Sequence, residues 1–119
     1  MTATDVSTDL FDRFQVIDVD THVTEPADVW TARTPAAMHD RVPHIERIDG
    51  QDVWMCDGDR LGQPGYYSMA GFDGLMPLKV PATFDDIHPS MYDSHERLKF
   101  MDSQGIQAQV LYPNVGGFG

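Results

Sequence analysis

One stretch, Val16–Trp30, constrains this chain more than any other: Val-Ile-Asp-Val-Asp-Thr-His-Val-Thr-Glu-Pro-Ala-Asp-Val-Trp. Its first half alternates with period two, which predicts a β-strand over about 15–23. Ile17, Val19, Thr21 and Val23 fall on one face, and Asp18, Asp20 and His22 on the other. A half-exposed strand usually fills its polar face with Lys, Thr or Ser. Here successive outward positions carry groups that bind metals or move protons. They stand just before Thr24-Glu25-Pro26, whose Pro marks a helix start over about 26–32. In α/β proteins ligands and catalytic groups collect beyond the C-terminal ends of strands. This stretch is therefore the candidate site.

A second ordered stretch lies near the other end. Asp93 and Glu96 form an N-terminal capping pattern, Leu98 and Met101 lie three apart, and Gly105 suits the residue after a helix. Ile106–Tyr112 then reads as a strand stopped by Pro113. Strand, helix, strand make one βαβ unit, and its two strands are expected to pair in parallel through a right-handed crossover. Residues 24–93 form a long excursion inside that unit. Asp49-Gly50 and Asp57-Gly58 flank Val53-Trp54-Met55-Cys56 and predict a small β-hairpin or meander over about 44–61. From Gly62 to Pro89 no period survives, as expected of a functional loop or a segment packed on a neighbour. Trp30, Trp54, Tyr66, Phe72 and Phe84 are the candidate core of the excursion. Residues 1–13 are polar and read as a flexible arm.

Composition excludes some partners. Eight Lys and Arg stand against 19 Asp and Glu, for a net charge of −11. That balance argues against a nucleic acid or an anionic membrane surface as partner. It leaves a small substrate open, because a bound metal reverses the local field. Cys56 is the single cysteine, so an internal disulfide is ruled out. Met1–Asp12 lacks the basic and apolar regions of a signal peptide, and no apolar run approaches the ~20 residues of a membrane span. The expected location is the cytoplasm.

Asp20-x-His22 sets a carboxylate and an imidazole on one strand face, a spacing that suits two ligands of one divalent metal or a hydrogen-bonded structural pair. Asp18, deeper along the strand, reads as structural. Glu25 either faces such a metal or caps the next helix. Asn114, just past the second strand, is placed for a substrate contact or for ordinary turn chemistry. His88 falls in the aperiodic stretch, as part of a lid or simply in solvent. His39, His44 and His95 read as surface residues, and Cys56 as a small apolar strand residue. Gly116-Gly117-Phe118-Gly119 lacks the strand-turn-helix setting of a phosphate loop.

Ile17-Asp18-Val19-Asp20-Thr21-His22, with Glu25-Pro26 and Trp30 behind it, resembles the start of the amidohydrolase-related family. This is the branch of aminocarboxymuconate-semialdehyde decarboxylase and other metal-dependent decarboxylases and hydrolases. Tyr92-Asp93, Arg97-Leu98, Met101-Asp102, Gly105-Ile106 and Val110-Leu111-Tyr112-Pro113 look like that family's first barrel helix and second barrel strand. The resemblance implies an α/β fold, the first βαβ portion of a TIM (β/α)8 barrel, with a mononuclear metal at the C-terminal mouth. The family's first strand commonly ends in His-x-His, and Asp20 stands here at the first of those positions. Asp20 and His22 are thus the implied ligands of a divalent metal, zinc or manganese.

A whole barrel needs ~250 residues. The 119 residues are therefore expected to be the N-terminal fragment of one metal-dependent hydrolase domain, inactive alone, its edges lacking neighbours. The full-length protein is expected to act as a hydrolase or carboxy-lyase on a small carboxylate-bearing substrate and to form a homo-oligomer. The competing expectation is a small acidic, non-catalytic binding or interaction protein built on the same βαβ unit.

Overall fold

Two short runs ninety residues apart make one sheet, and a separate meander fills the sequence between them. The computed structural model describes residues 13–71 and 79–115. Within them β1 is Val16–His22, β2 His44–Ile48, β3 Gln51–Cys56, β4 Asp59–Gly62, α1 Ser94–Gln104 and β5 Ile106–Tyr112. Short 3-10 turns at Thr31–Arg33, Ala36–Arg41, Pro64–Tyr67, Phe84–Asp86 and Pro89–Met91 supply the rest of the regular structure. The arm at residues 1–12, Phe72 and the Gly-rich run at 116–119 lie outside the described residues.

β1 and β5 pair in parallel, as the βαβ reading requires. α1 leads into β5 and is closed at both ends by the residues expected to close it. The Asp93 carboxylate accepts the backbone N–H groups of His95 (2.8 Å) and Glu96 (3.0 Å), and Gly105 leaves the helix at φ 67°. One helix covers little of the sheet. Ile17 (60% exposed), Val19 (65%), Val110 and Leu111 keep much of their apolar surface in contact with water. α1 buries Arg97 and leaves Leu98 58% exposed, although Leu98 and Met101 line with Arg97 the groove between the helix and Gln109 and Leu111. The helix expected over 26–32 is shorter than its pattern. Turns run from Ala27 to Trp30, and only Thr31–Arg33 is helical, in the 3-10 form.

The meander order is β2-β3-β4, antiparallel throughout. Both of its turns are two-residue loops with positive φ at both positions: Asp49 (50°) and Gly50 (77°), then Asp57 (52°) and Gly58 (85°). That geometry matches the twist of the flanking strands, and Asp-Gly is the dipeptide that tolerates it. β3 is the middle strand and is covered on both faces. Asp52, Val53 and Trp54 are buried in succession, which explains why the stretch shows no clean alternation.

Trp54, 1% exposed, organises the core. Its ring meets Trp30 edge-on at 5.7 Å and Phe84 at 6.1 Å, and Phe84 meets Tyr92 at 5.6 Å. Edge-to-face pairs of this kind add about 0.5–1.5 kcal/mol each to the area they bury. The chain of rings joins the segment after β1, the meander and the segment before α1. Tyr66, expected in this core, is instead 59% exposed and lines a surface cavity, while Pro64 and Gly65 are the buried residues of its turn. Asp52 adds the polar tie. Its carboxylate accepts Arg47 Nε (2.6 Å) and the Phe84 N–H (2.7 Å), while its own N–H donates to the Ala82 carbonyl (2.7 Å).

His44 and His39 are half-buried rather than surface residues. His39 Nε2 lies 3.2 Å from the Thr34 carbonyl oxygen. His44 Nδ1 lies 2.8 Å from the Val42 carbonyl oxygen and Nε2 3.1 Å from Glu46 Oε1. Only the imidazolium donates from both nitrogens. The Val42 carbonyl first, and Glu46 after it, hold the His44 pKa above its ordinary value. A folded-state pKa above the unfolded one means the folded chain binds more proton. The His44 contribution is therefore fully present below about pH 6.5, the unfolded value, and disappears as pH rises through the raised folded value. Urea midpoints should fall between pH 6 and pH 8.5 in the parent, and fall less in His44→Gln. Equal slopes in the two would contradict this account.

Candidate functional site

The alternation of β1 breaks before its end. Asp18 pairs with Gln109 and Thr21 with Leu111, so three residues of β1 span what two residues of β5 span. The extra residue is a β-bulge, and beyond it the faces exchange. Asp18 and Thr21 share a side with Gln109 and Leu111, toward α1, where Arg97 Nη1 donates to Gln109 Oε1 (3.3 Å). His22 and its partner Tyr112 fall on the opposite side. Asp18 thus does not share a face with Asp20 and His22, as strict alternation predicts. Its carboxylate accepts the Thr21 hydroxyl, the Asp20 N–H (3.1 Å) and Gln109 Nε2 (3.2 Å). The Thr21 hydroxyl, followed by the Asp20 N–H, holds this carboxyl below the ordinary aspartate value, so it is ionised at neutral pH. The structural reading of Asp18 stands.

Asp20 and His22 come together at the C-terminal end of β1. Asp20 Oδ1 lies 3.3 Å from His22 Nε2, with the Asp20 side chain 81% exposed and that of His22 32% exposed. The imidazole meets two phenol rings, Tyr67 at 5.5 Å and Tyr112 at 5.7 Å, tilted by 33° and 36°. Tyr112 arrives as the register partner of His22. Tyr67 arrives from the Pro64–Tyr67 turn of the excursion. Sequence reasoning missed Tyr67. The only signal for it was a Pro-Gly turn followed by two aromatics inside an otherwise aperiodic stretch.

The ends of β1 and β5 are stapled just past the pair. Val23 N–H donates to the Tyr112 carbonyl (3.1 Å), Asn114 Nδ2 to Thr24 Oγ1 (3.0 Å), and Val115 N–H to the Glu25 carboxylate (3.1 and 3.2 Å). Glu25 and Asn114, the two further candidates, are both engaged in these staples. Asn114 also lines a cavity of about 1060 Å³, together with Tyr66, Tyr67, Gln63, Arg60 and Lys79. Arg60 and Lys79 thus line the same cavity as Tyr67, the ring partner of His22, with Asp86 also in the lining. His88 holds its own turn: its Nδ1 accepts the Ser90 N–H (3.2 Å). Cys56 ends β3 with its thiol 3.5 Å from the Arg41 carbonyl oxygen.

Two donor atoms each about 2.1 Å from a zinc ion, at a tetrahedral angle, lie about 3.4 Å apart. The 3.3 Å between Asp20 Oδ1 and His22 Nε2 fits that bite. Among the described residues no third His, Cys, Asp or Glu joins them in a group able to hold a metal.

The chain is similar to a crystal structure of an amidohydrolase from Mycobacterium avium subsp. paratuberculosis K-10, with a TM-score of 0.56 and 23% identity over 87% of this chain. It spans 31% of that protein's length. The likeness shows a shared fold, that of part of an amidohydrolase. No family model matches the sequence, and no curated protein does. Among the described residues no helix is long and apolar enough to cross a membrane.

Proposed function

We propose that these 119 residues form the N-terminal part of a divalent-metal-dependent enzyme of the amidohydrolase type, a (β/α)8 barrel acting on a small carboxylate-bearing molecule. The observation that carries this reading is the 3.3 Å approach of Asp20 Oδ1 to His22 Nε2 at the C-terminal end of a strand in a parallel pair. The likeness of fold to an amidohydrolase supports it.

In this reading Asp20 and His22 are two ligands of the metal, and the mixed oxygen and nitrogen donors suit zinc or manganese. When bound, the ion polarises a substrate oxygen or lowers the pKa of a water. The chain's own residues do the rest. Tyr67 and Tyr112 confine the His22 ring and limit its rotation. The staples through Glu25 and Asn114 keep the two strand ends together just past the site. Arg60 and Lys79 on the cavity wall attract a substrate carboxylate. A catalytic zinc site has three protein ligands, so the remaining ligand and the proton-moving group belong to later strands of the barrel. By itself the 119-residue chain is then a two-ligand metal binder without turnover.

Titration with zinc and with manganese tests this. Replacing His22 by alanine should weaken the tighter-bound ion by at least the 10–100-fold typical of losing a supporting partner, and Asp20→Ala should do the same. Unchanged affinity in both variants would leave the pair as a structural contact and favour the non-catalytic binding protein.

A further inference from the structure

The β1 bulge carries a consequence for where the Asp20–His22 pair stands. Without the extra residue, period two would place Asp20 and His22 on the side of Asp18, facing α1. With it, they face away from α1, toward Tyr67 and Tyr112. A bulge leaves one residue out of the ladder, and its N–H needs another acceptor. Between Asp18 and Thr21 the register gives neither Val19 nor Asp20 a partner on β5. The Asp18 carboxylate supplies the acceptor, taking the Asp20 N–H at 3.1 Å and the Thr21 hydroxyl beside it.

That carboxylate is itself aimed from the helix. Gln109 Nε2 donates to Asp18 at 3.2 Å, and Gln109 Oε1 accepts from Arg97 Nη1 at 3.3 Å. Since Arg97 is always a donor, Gln109 must present its oxygen to the guanidinium and its amide nitrogen to Asp18. Arg97 is only 7% exposed, and its Nη2 lies 3.7 Å from the Met91 sulfur. A buried guanidinium, which can only donate, fixes the amide orientation of its neighbour.

We infer that Asp18 is the positioning residue of the site: by capping the bulge it decides which face of the sheet carries Asp20 and His22, and Gln109 with Arg97 orients it for that task. The inference rests on the metal-site reading for its functional meaning, but not for its geometry. It also predicts a ranking. Alanine at position 18 removes the acceptor altogether. Asparagine keeps an oxygen for the Asp20 N–H, but its NH2 opposes the Gln109 NH2, so Gln109 must either flip away from Arg97 or lose the contact.

Two readouts on the 119-residue chain test this, one without metal. Nuclear Overhauser contacts between the His22 and Tyr112 ring protons should be present in the parent, lost in Asp18→Ala and weakened in Asp18→Asn. Zinc affinity of the folded chain should fall about 10–100-fold in Asp18→Ala, and less in Asp18→Asn. If Asp18→Ala does not fold, Thr21→Val removes one donor to the same carboxylate and should shift both readouts in the same direction. Retained ring contacts in the folded variant would overturn the inference, whatever the stability change. Zinc binding by the parent that ignores His22→Ala, with the ring contacts still dependent on Asp18, would overturn the metal reading and leave the positioning role standing.

Discussion

Trp54→Ala should be the most damaging substitution in the described part of the chain, lowering stability by about 3–5 kcal/mol. Domains are stable by only about 5–15 kcal/mol, so the variant should lose a large share of its stability and melt at a much lower urea concentration. The reason is the position of Trp54 as the shared ring partner of Trp30 and Phe84, which come from two different segments of the excursion. Losing the indole opens a cavity between three segments at once. Trp54→Phe should be much milder. It keeps a ring for both edge-on contacts and removes a buried Nε1 that has no hydrogen-bond partner among the described residues. Urea denaturation followed by circular dichroism checks both, and equal losses in the two variants would show that ring packing is not the source.

Gly65→Ala should come next, with a functional signature as well. A Cβ at position 65 would overlap the Pro81 carbonyl oxygen and sit 3.1 Å from its carbon and 3.3 Å from the Pro81 nitrogen. All of these are backbone atoms, so no rotamer change relieves the clash. Overpacking typically costs about 1–3 kcal/mol, and here the Pro64–Tyr67 turn must move as a unit. Tyr67 would move with it, away from the His22 ring that it now meets at 5.5 Å. The expected result is a lower urea midpoint together with a changed chemical shift of the His22 ring protons. A lower midpoint with an unchanged shift would mean that Pro81 yields and the turn stays.

The paired substitutions separate two layers of the molecule. Trp54 and Gly65 act through packing in the excursion, whereas Asp18 acts through hydrogen bonds at the bulge. Variants more than about 7–10 Å apart without shared partners should add in their effects. Gly65→Ala and Asp18→Ala both end at the His22 ring, one through Tyr67 and one through β1, and are expected to couple.

Local chemistry accounts for what was legible from residue order. The capped helix from Asp93 to Gly105, both Asp-Gly turns and the two strands depend on contacts within a few residues, so their patterns survive in one dimension. The parallel pairing follows too, since a crossover helix leaves little other choice. The Asp20-x-His22 pair was legible because two residues that close in sequence stay together, here 3.3 Å apart, even with Asp20 inside the bulge. The face on which they stand was decided only by the tertiary structure. It depends on Gln109, ninety-one residues from Asp18, and on Arg97 behind it, and no alternation pattern within β1 records a partner so distant. The same holds for Tyr67 against His22, for the exposure of Tyr66 and for the burial of Arg97 in place of Leu98. A side chain's type is written in the sequence, but its neighbours across a long excursion are set by how the whole chain packs.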